Sequence, residues 1–364
     1  MLPLVNEPFF TLKPYVPGKP ISETERELGL EGVVKLASNE NPLGPSPKAV
    51  EAIQCALSGL HDYPDGGAYY FKERLSRFLG FSTEQLIVGN GTNELLEMII
   101  RTCLRPDEHM IYVPGTFIVY KLCGLSANAN IREVPLTSEL EYNLDAVLEV
   151  MDEKTKLVFV ANPNNPTGTY IGRKSLESFL AQVPEHVLVV LDEAYFEYAT
   201  APDYPNGLEY LANRERLVVT RTFSKCYGLA GLRIGYAVGN GELIDFLNRG
   251  RQPFNVNSLA QVGALAALDD QEHVQKACDL NRKEMGRVVE GLTQLRIKCT
   301  PSQANFVLAD FGQDVGPLFD RLLRQGVIVR PMQGYGFPHS ARITIGTPEQ
   351  NNKLFKAIET LETS

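Results

Sequence analysis

The sequence has few of the residues from which metal centres and disulfide scaffolds are built. It contains five histidines, none at H-E-x-x-H spacing, and six cysteines that are scattered along the chain without a C-x-x-C pair. Scattered single cysteines are typical of reduced thiols in the cytosol. We therefore expect a cytoplasmic protein without a metal centre.

The chain also lacks an excess of positive charge and long apolar runs. Its formal net charge of -9 leaves no basic surplus to neutralise the phosphates of a nucleic acid. No segment approaches the roughly 20 apolar residues that a membrane helix needs. Residues 1–10 have no basic n-region and include Glu7, which argues against a signal peptide. We expect neither a nucleic acid nor a membrane as partner, although a few local arginines could still bind an anionic substrate.

What is present is an ordinary globular composition in a chain of 364 residues, too long for one simple core. Residues 1–40 are rich in proline and weakly periodic, which predicts an extended arm that joins the smaller domain. Apolar strands alternate with helices from about 85 to 240, which predicts an α/β large domain with a mostly parallel, doubly wound sheet over 41–258. A long helical stretch and then short strands predict a smaller α+β domain over 259–364.

A glycine-rich turn follows the apolar segment 86–88. The backbone amides of Gly91, Thr92 and Asn93 precede a predicted helix that starts at Glu94, and such amides bind anions with help from the helix dipole. Glu94 stands where a dinucleotide-binding fingerprint has its third glycine, and the G-K-[ST] ending of a P-loop is missing. The turn therefore either holds one small phosphate group or is an ordinary strand–helix connection.

Polar and aromatic residues come shortly after three further apolar segments, namely Phe117, Asn165, and Asp192 with Tyr195. Ligands of α/β proteins bind at the carboxyl ends of the strands, which meet at one edge of the sheet. A carboxylate at the mouth of a buried strand is unfavourable unless a cation pairs with it, and no Arg or Lys neighbours Asp192. Asp192 is therefore either the partner of a bound cation or a solvated strand end.

One lysine stands out in the turn after the β-branched segment 217–220. Lys225 lies among hydroxyl, aromatic and glycine residues, and the glycine-spaced segment after it leads to Arg233. An amine held in a confined, cationic site loses its proton easily and becomes a nucleophile. The alternative is a loop lysine that stays in water.

The segments N-P-N-N-P-T-G, D-E-A-Y and S-K…G-L-A-G-L-R, in this order, resemble the pyridoxal-phosphate-dependent aminotransferases of fold type I. The resemblance covers nearly the whole chain. Further segments, among them K-P-Y-V-P-G-K-P, Y-P-D-G, S-Q-A-N-F and R-I-T-I-G-T, are similar to the histidinol-phosphate aminotransferases. The resemblance implies pyridoxal 5'-phosphate as cofactor and the interconversion of L-histidinol phosphate and 2-oxoglutarate with imidazole-acetol phosphate and L-glutamate, a step of histidine biosynthesis.

The resemblance also implies roles for particular residues. Lys225 would bind the cofactor aldehyde and later move the substrate proton, and Asp192 would face the pyridine nitrogen. Tyr195 and Asn165 would bind the ring hydroxyl. Phe117, a position that is tyrosine in many relatives, would stack on the ring. The phosphate would be held by the amides of Gly91, Thr92 and Asn93, by the side chains of Ser224 and Arg233, and by Tyr63 from a second subunit of a homodimer with shared active sites.

The same resemblance places the substrate against Arg330 and Arg342, with Tyr15 and Asn39 beside them. An arginine fork suits both phosphate and carboxylate groups, so one pocket can serve histidinol phosphate and glutamate or 2-oxoglutarate. These residues discriminate poorly between related enzymes. An aromatic amino acid aminotransferase and a threonine-phosphate decarboxylase, which is a lyase, therefore stay open as alternatives.

Overall fold

The computed structural model describes Leu4, Glu7–Phe10 and residues 18–362. Tyr15 lies outside the described residues, so its place beside the substrate stays a prediction. The helices are α1 (Ile21–Leu28), α2 (Pro47–Ala56), α3 (Tyr69–Leu79), α4 (Gly91–Cys103), α5 (Val119–Ser126), α6 (Leu144–Glu149), α7 (Arg173–Gln182), α8 (Gly241–Gly250), α9 (Ser258–Leu268), α10 (Gln271–Gln294), α11 (Val315–Arg324) and α12 (Pro348–Glu362). The strands are β1 (Val34–Lys35), β2 (Leu86–Gly89), β3 (His109–Tyr112), β4 (Asn130–Glu133), β5 (Thr155–Ala161), β6 (Leu188–Asp192), β7 (Leu217–Thr222), β8 (Gly235–Gly239), β9 (Lys298–Cys299), β10 (Phe306–Asp310), β11 (Val327–Ile328), β12 (Arg330–Pro331) and β13 (Ser340–Thr344).

The segment predicted as an extended arm contains a helix, α1. The helix fits between Pro20, which immediately precedes it, and Gly29, which ends it with a φ of 63°. Proline is tolerated at a helix start and glycine at a helix end, so the prolines of this segment limit the helix without preventing it. Beyond α1 the chain forms β1, which pairs in parallel with β11 near the carboxyl end of the chain.

The large sheet has the strand order β2-β8-β7-β6-β5-β3-β4. Neighbouring strands from β7 to β4 are parallel, and β8 is antiparallel to both β2 and β7. Strands β6 and β7 are buried along their whole length, as the apolar segments predicted for a sheet covered on both faces. This architecture confirms the predicted α/β class with a mostly parallel sheet, and it brings the carboxyl ends of β5, β6 and β7 to one edge.

The carboxyl-terminal part forms a smaller antiparallel sheet of order β12-β13-β10-β9, with a core shared by α10, α11 and α12. Helix α9 packs on α2 and α3, so the apolar core of the large sheet continues past residue 258. The division at 258 stays a prediction. Within the described ranges no helix is long and apolar enough to cross a membrane.

Helix α4 begins at Gly91, three residues before the predicted start at Glu94. The reason is the side chain of Glu94, whose Oε2 accepts a hydrogen bond of 2.5 Å from the backbone N–H of Asn90. This hydrogen bond links the residue before Gly91 to the end of the first helical turn and so stabilises the turn that starts at Gly91. The amides of Gly91, Thr92 and Asn93 therefore lie inside the first turn, where backbone N–H groups have no partner within the helix.

Candidate active site

A cavity of about 270 Å³ opens at the carboxyl edge of the large sheet. It is lined by most of the residues that the sequence indicated, together with five that it did not indicate. The indicated residues are Thr92, Asn93, Phe117, Asn165, Asp192, Tyr195, Ser224, Lys225 and Arg233, and the others are Tyr120, Ala161, Pro163, Ala194 and Thr222. Residues that are up to 141 positions apart thus face one space, because strand ends of a parallel sheet meet there.

Lys225 is the amine of this cavity. Its Nζ donates a hydrogen bond of 3.2 Å to the carbonyl oxygen of Ser38 and lies 5.7 Å from the centre of the Tyr195 ring. Burial, assisted by the nearby cations Arg342 and Arg233, lowers the pKa of Lys225 to about 7. The amine therefore loses its proton far more easily than a solvated lysine does, which makes it available as a nucleophile or a base.

Asp192 is the carboxylate of the cavity. Its Oδ2 accepts a hydrogen bond of 2.6 Å from the hydroxyl of Tyr120, and its Oδ1 accepts one of 3.0 Å from Thr220. Burial raises the pKa of Asp192, and these hydrogen bonds oppose the rise only in part. Across the part of the chain that the structure describes, no arginine, lysine or histidine forms an ion pair with Asp192. The site thus fits a cationic group of a ligand placed against this carboxylate.

Tyr120 is a site residue that sequence reasoning missed. It is fully buried, stacks on Phe159 at 4.7 Å between ring centres, and contacts the edge of Phe117. The sequence did contain a signal for Tyr120. It follows Phe117 by three residues at the start of α5, and residues at this spacing lie on the same face of a helix. Its partner, Asp192, is 72 residues away, and only the fold joins the two.

Tyr195 is held by a chain of hydrogen bonds that starts in the small sheet. Thr344 donates to Oδ1 of Asn39 at 3.1 Å, and Nδ2 of Asn39 donates to the Tyr195 hydroxyl at 2.9 Å. Burial raises the pKa of Tyr195 to about 12, although Arg342 and Asn39 act in the opposite direction. The hydroxyl is therefore protonated at neutral pH. The structure places Asn39 behind Tyr195, and its predicted contact with substrate stays a prediction.

The two predicted substrate arginines lie side by side. Arg330 of β12 is directly opposite Arg342 of β13 in their antiparallel pairing. Arg342 is buried, donates to Oδ1 of Asn165 at 2.6 Å and donates to the carbonyl oxygen of Ala37 at 2.7 Å. Directly opposite like charges destabilise a pair of strands. The predicted contact of Arg330 and Arg342 with substrate stays a prediction.

The amino end of α4 and Arg233 form a cradle for an anion. Gly91 has a φ of +73°, and a Cβ at this position would come within 2.5 Å of Nη2 of Arg233. Nη1 of Arg233 lies 3.5 Å from Oγ of Ser224. First-turn amides, a guanidinium group and a hydroxyl are the donors that phosphate groups prefer. The positive φ favours glycine at residue 91, and a Cβ there would force the end of the Arg233 side chain to move.

Tyr63 lies outside this cavity. Its side chain is 82% exposed and stacks on Phe254 with 4.8 Å between the ring centres. Phe254 is itself 47% exposed, so the two rings form an apolar surface on the outside of the chain. The position suits the predicted contribution of Tyr63 to a second subunit, which stays a prediction.

A buried ion pair fixes the strand ends that carry the site. Arg221 of β7 donates to Oε2 of Glu193 through Nε at 2.9 Å and Nη2 at 2.7 Å, and its guanidinium carbon lies 3.4 Å from the ring centre of Phe196. Glu193 directly follows Asp192, so the pair fastens the end of β6 to β7. Sequence reasoning overlooked it, although an arginine in a buried strand signals a nearby acid. No group of three or more His, Cys, Asp and Glu in the described ranges is arranged to hold a metal ion.

Comparisons with known proteins agree with this arrangement. Residues 31–358 match the family described as aminotransferase class I and II. Histidinol-phosphate aminotransferase 2 of Pseudomonas aeruginosa is 48% identical over 95% of this chain and 94% of its own length. Histidinol-phosphate aminotransferase of Moorella thermoacetica is 47% identical over 98% of this chain and 92% of its own length.

A solved structure agrees as well. Histidinol-phosphate aminotransferase from Sinorhizobium meliloti, in complex with pyridoxal-5'-phosphate, superposes with a TM-score of 0.89 over 99% of both chains at 26% identity. The motifs, the fold and these similarities lead to one assignment. The chain belongs to the class I and II aminotransferases and, within them, to the histidinol-phosphate aminotransferases.

Proposed function

We propose that the chain transfers an amino group between L-glutamate and imidazole-acetol phosphate with pyridoxal 5'-phosphate as cofactor, giving L-histidinol phosphate and 2-oxoglutarate in histidine biosynthesis. The observation that carries the proposal is one cavity in which three features meet: an amine of lowered pKa, a buried carboxylate that forms no ion pair with the described residues, and a set of anion-binding donors. The names of the relatives supply the substrates.

The residues of the cavity fit the cofactor group by group. The amides of α4, Ser224 and Arg233 would hold its phosphate, and Asp192 would pair with its ring nitrogen. Phe117 would cover a face of the ring, and Asn165 and Tyr195 would bind the ring hydroxyl. Bound in this way, the ring accepts the electron pair that remains when a substrate Cα loses its proton.

Lys225 would have two roles in this reaction. Its neutral amine would hold the cofactor at the aldehyde, and its Nζ would accept the proton of the substrate Cα and donate it again. A pKa of about 7 suits a group that must both accept and donate a proton.

Asp192 and its neighbours would control the ring nitrogen. A negative charge on Asp192 would keep that nitrogen protonated, since the attraction between the two charges stabilises the charged forms of both. Tyr120 and Thr220 would hold the carboxylate in position by their hydrogen bonds. Asn39 would position the hydroxyl of Tyr195 in the same manner.

Arg330 and Arg342 would bind the anionic end of each substrate. In one half-reaction this end is the phosphate of histidinol phosphate, and in the other it is a carboxylate of glutamate or 2-oxoglutarate. Arg342 also contacts Asn165, so substrate binding and the cofactor hydroxyl would be linked through a single guanidinium group. Tyr15 is proposed to assist at this end.

The assembly is proposed to be a homodimer in which Tyr63 of each subunit completes the phosphate cradle of the other. The exposed pair of Tyr63 and Phe254 supports this arrangement, because apolar surface of this kind favours burial against a partner. A cytoplasmic location is proposed with it. The free thiols of the six cysteines support that location.

The test is a single-turnover absorbance assay of cofactor-loaded protein mixed separately with histidinol phosphate, phenylalanine and threonine phosphate. We expect rapid conversion of the cofactor to its amino form with histidinol phosphate alone. An equal rate with phenylalanine would identify a broader aromatic aminotransferase, and carbon dioxide release from threonine phosphate would identify a lyase. Absence of any cofactor band would contradict the role of Lys225.

A further inference from the structure

Two cysteines that are 52 residues apart in the sequence meet directly behind the active-site lysine. Cys226 follows Lys225 and is fully buried, whereas Cys278 lies on α10 and is partly exposed. Their Sγ atoms are 3.5 Å apart. The thiol of Cys278 also donates to the carbonyl oxygen of Glu197 at 3.1 Å. The pair therefore joins α10 to the turns that follow β6 and β7.

We propose that Cys226 and Cys278 form a reversible disulfide within one chain when the protein meets a two-electron oxidant such as hydrogen peroxide, and that this cross-link slows the enzyme by displacing the segment that carries Lys225. The disulfide itself is independent of the proposed function. The expected loss of transamination is the one part that rests on the proposed function.

The geometry requires a small movement. A disulfide brings the two sulfurs from 3.5 Å to about 2.0 Å. Cys278 can supply part of this movement by rotation of its side chain, because it is partly exposed. The backbone of Cys226 is fastened by a hydrogen bond of 2.7 Å from Nδ2 of Asn41 to its carbonyl oxygen. Movement of the Cys226 sulfur would therefore strain the hydrogen bond between Asn41 and Cys226, which lies next to Lys225.

The surroundings explain why this pair would react. An oxidant can reach Cys278 because this cysteine is partly exposed, and its contact with the Cys226 sulfur lowers its pKa. The same contact, together with burial, raises the pKa of Cys226, so Cys278 is the cysteine that would react first. Burial instead raises the pKa values of Cys103, Cys123 and Cys299 to about 11. Of the cysteines that the structure describes, Cys226 and Cys278 form the one pair in sulfur–sulfur contact.

The reaction balances with hydrogen peroxide as the oxidant. The thiolate of Cys278 attacks one peroxide oxygen, the O–O bond breaks, and the second oxygen leaves as water after taking up a proton. The sulfur of Cys226 then attacks the sulfenic acid of Cys278, the S–O bond breaks, and a second water leaves. Two thiols lose two electrons and two protons in total, and one peroxide is reduced to two waters.

Two contacts of the active site would change in the oxidised protein. The bond from Cys278 to the carbonyl oxygen of Glu197 disappears, since a disulfide has no S–H donor. Glu197 is two residues beyond Tyr195, so the turn after β6 loses a fastening. On the other side, the backbone of Lys225 shifts with Cys226, which disturbs the hydrogen bond from Nζ to Ser38.

The experiment treats the full-length, cofactor-loaded protein with hydrogen peroxide, alkylates the remaining thiols and digests the protein with trypsin without reduction. Cleavage after lysine and arginine releases residues 226–233 and 277–282 as separate peptides. We expect them as one linked species, lighter than their sum by two hydrogen atoms, that separates on addition of dithiothreitol. Transamination should fall in step with the linked fraction and return on reduction.

Cys278→Ser should prevent both the linked peptide and the reversible loss of activity, whereas Cys299→Ser is the matched control and should retain both. If Cys278→Ser does not fold, the peptide map of the natural protein still decides. Recovery of the two peptides with each cysteine alkylated, or with Cys278 carrying a sulfinic acid and no link, would overturn the disulfide. A linked protein of undiminished activity would overturn the inhibition. A protein that forms the link but does not transaminate even before oxidation would support the disulfide and refute the proposed function.

Discussion

The chemistry of Lys225 is decided by side chains that are distant in sequence. Burial and the charges of Arg342 and Arg233 bring its pKa from an ordinary value of 10.5 to about 7. Arg342 is 117 residues away along the chain. The turn that carries Lys225 could be read from the sequence as a candidate site, whereas the lowered pKa depends on contacts that exist only in the folded protein.

We predict that acylation of Lys225 by trace acetic anhydride in the cofactor-free protein rises through pH 7, while exposed lysines react only near pH 10. The reason is that the anhydride reacts with the neutral amine alone. Peptide mapping across the pH range gives the midpoint for each lysine. Arg342→Ala should move the Lys225 midpoint upward, because a neighbouring cation is removed. A midpoint that matches those of the surface lysines would show that Lys225 is solvated.

The lowered pKa of Lys225 also makes the stability of the cofactor-free fold depend on pH. Between pH 7 and 10.5 unfolded Lys225 carries a proton that folded Lys225 has lost, so unfolding takes up a proton. Lys225 therefore destabilises the cofactor-free fold most below pH 7. This penalty is lost as the pH rises toward 10.5.

We predict opposite effects of Asp192→Asn on stability and on activity. Burial raises the pKa of Asp192, so its ionisation above pH 3.8 destabilises the cofactor-free protein, and the neutral amide should raise its melting temperature at pH 7. Turnover should fall by about 100-fold or more, because the charge that faces the ring nitrogen is lost. The exposed Asp107→Asn is the control and should change neither quantity. A variant less stable than the parent protein would show that the carboxylate is already compensated.

At the scale of the element, the first turn of α4 is the part of the site that local sequence predicts best. A strand, two glycines and small polar residues indicate a strand–helix turn, and the structure adds that Arg233 closes over Gly91. Arg233 is far from Gly91 in the sequence, so no local pattern connects the two residues. In the proposed site the helix end would attract an anion weakly, and Arg233 would add the charge-assisted hydrogen bonds that a phosphate prefers.

We predict that Gly91→Ala weakens cofactor binding by about 10- to 100-fold, since charge-assisted hydrogen bonds to the phosphate are lost when the Cβ displaces Arg233. Gly80→Ala is the matched control, because Gly80 has a similar φ of +77° and no atom within 4 Å of the added Cβ. Both variants should lose about 1 kcal/mol of folding stability from the positive φ. Titration with pyridoxal 5'-phosphate followed by absorbance, beside denaturant unfolding, separates the two effects. Equal affinities in the two variants would contradict the cradle.

At the scale of the whole molecule, Tyr63 raises the question of which subunit it serves. Its ring is exposed and stacked on Phe254, away from the cavity of its own chain. A site completed by a second subunit requires a dimer that places this surface at the partner's cradle. A complementation experiment distinguishes this arrangement from a purely structural role.

We predict that co-expression of differently tagged Lys225→Ala and Tyr63→Ala chains yields a mixed dimer more active than either parent. In that dimer the chain that retains Lys225 receives its Tyr63 from the other chain, so one site is complete. Purification on both tags in sequence isolates the mixed species, and its initial rate is compared with those of the two homodimers. A mixed dimer no more active than the Tyr63→Ala homodimer would mean that Tyr63 acts within its own chain.

The sequence by itself determined the secondary structure that carries the site, because apolar segments followed by polar turns depend on neighbouring residues. It predicted strands β5, β6 and β7 closely and found Asn165, Asp192 and Lys225 at or shortly after their ends. It missed helix α1, which fits between Pro20 and Gly29, and the early start of α4, where the side chain of Glu94 accepts a hydrogen bond from the backbone of Asn90.

Only the tertiary structure decided which distant residues meet. The hydrogen bond from Tyr120 to Asp192, the pair of Arg330 and Arg342, and the contact of Cys226 with Cys278 join segments that no local pattern connects. Strand order and helix packing fix these contacts, and both result from burying apolar surface over the whole chain. The sequence therefore specified the chemical groups of the site, and the fold set their distances, protonation states and partners.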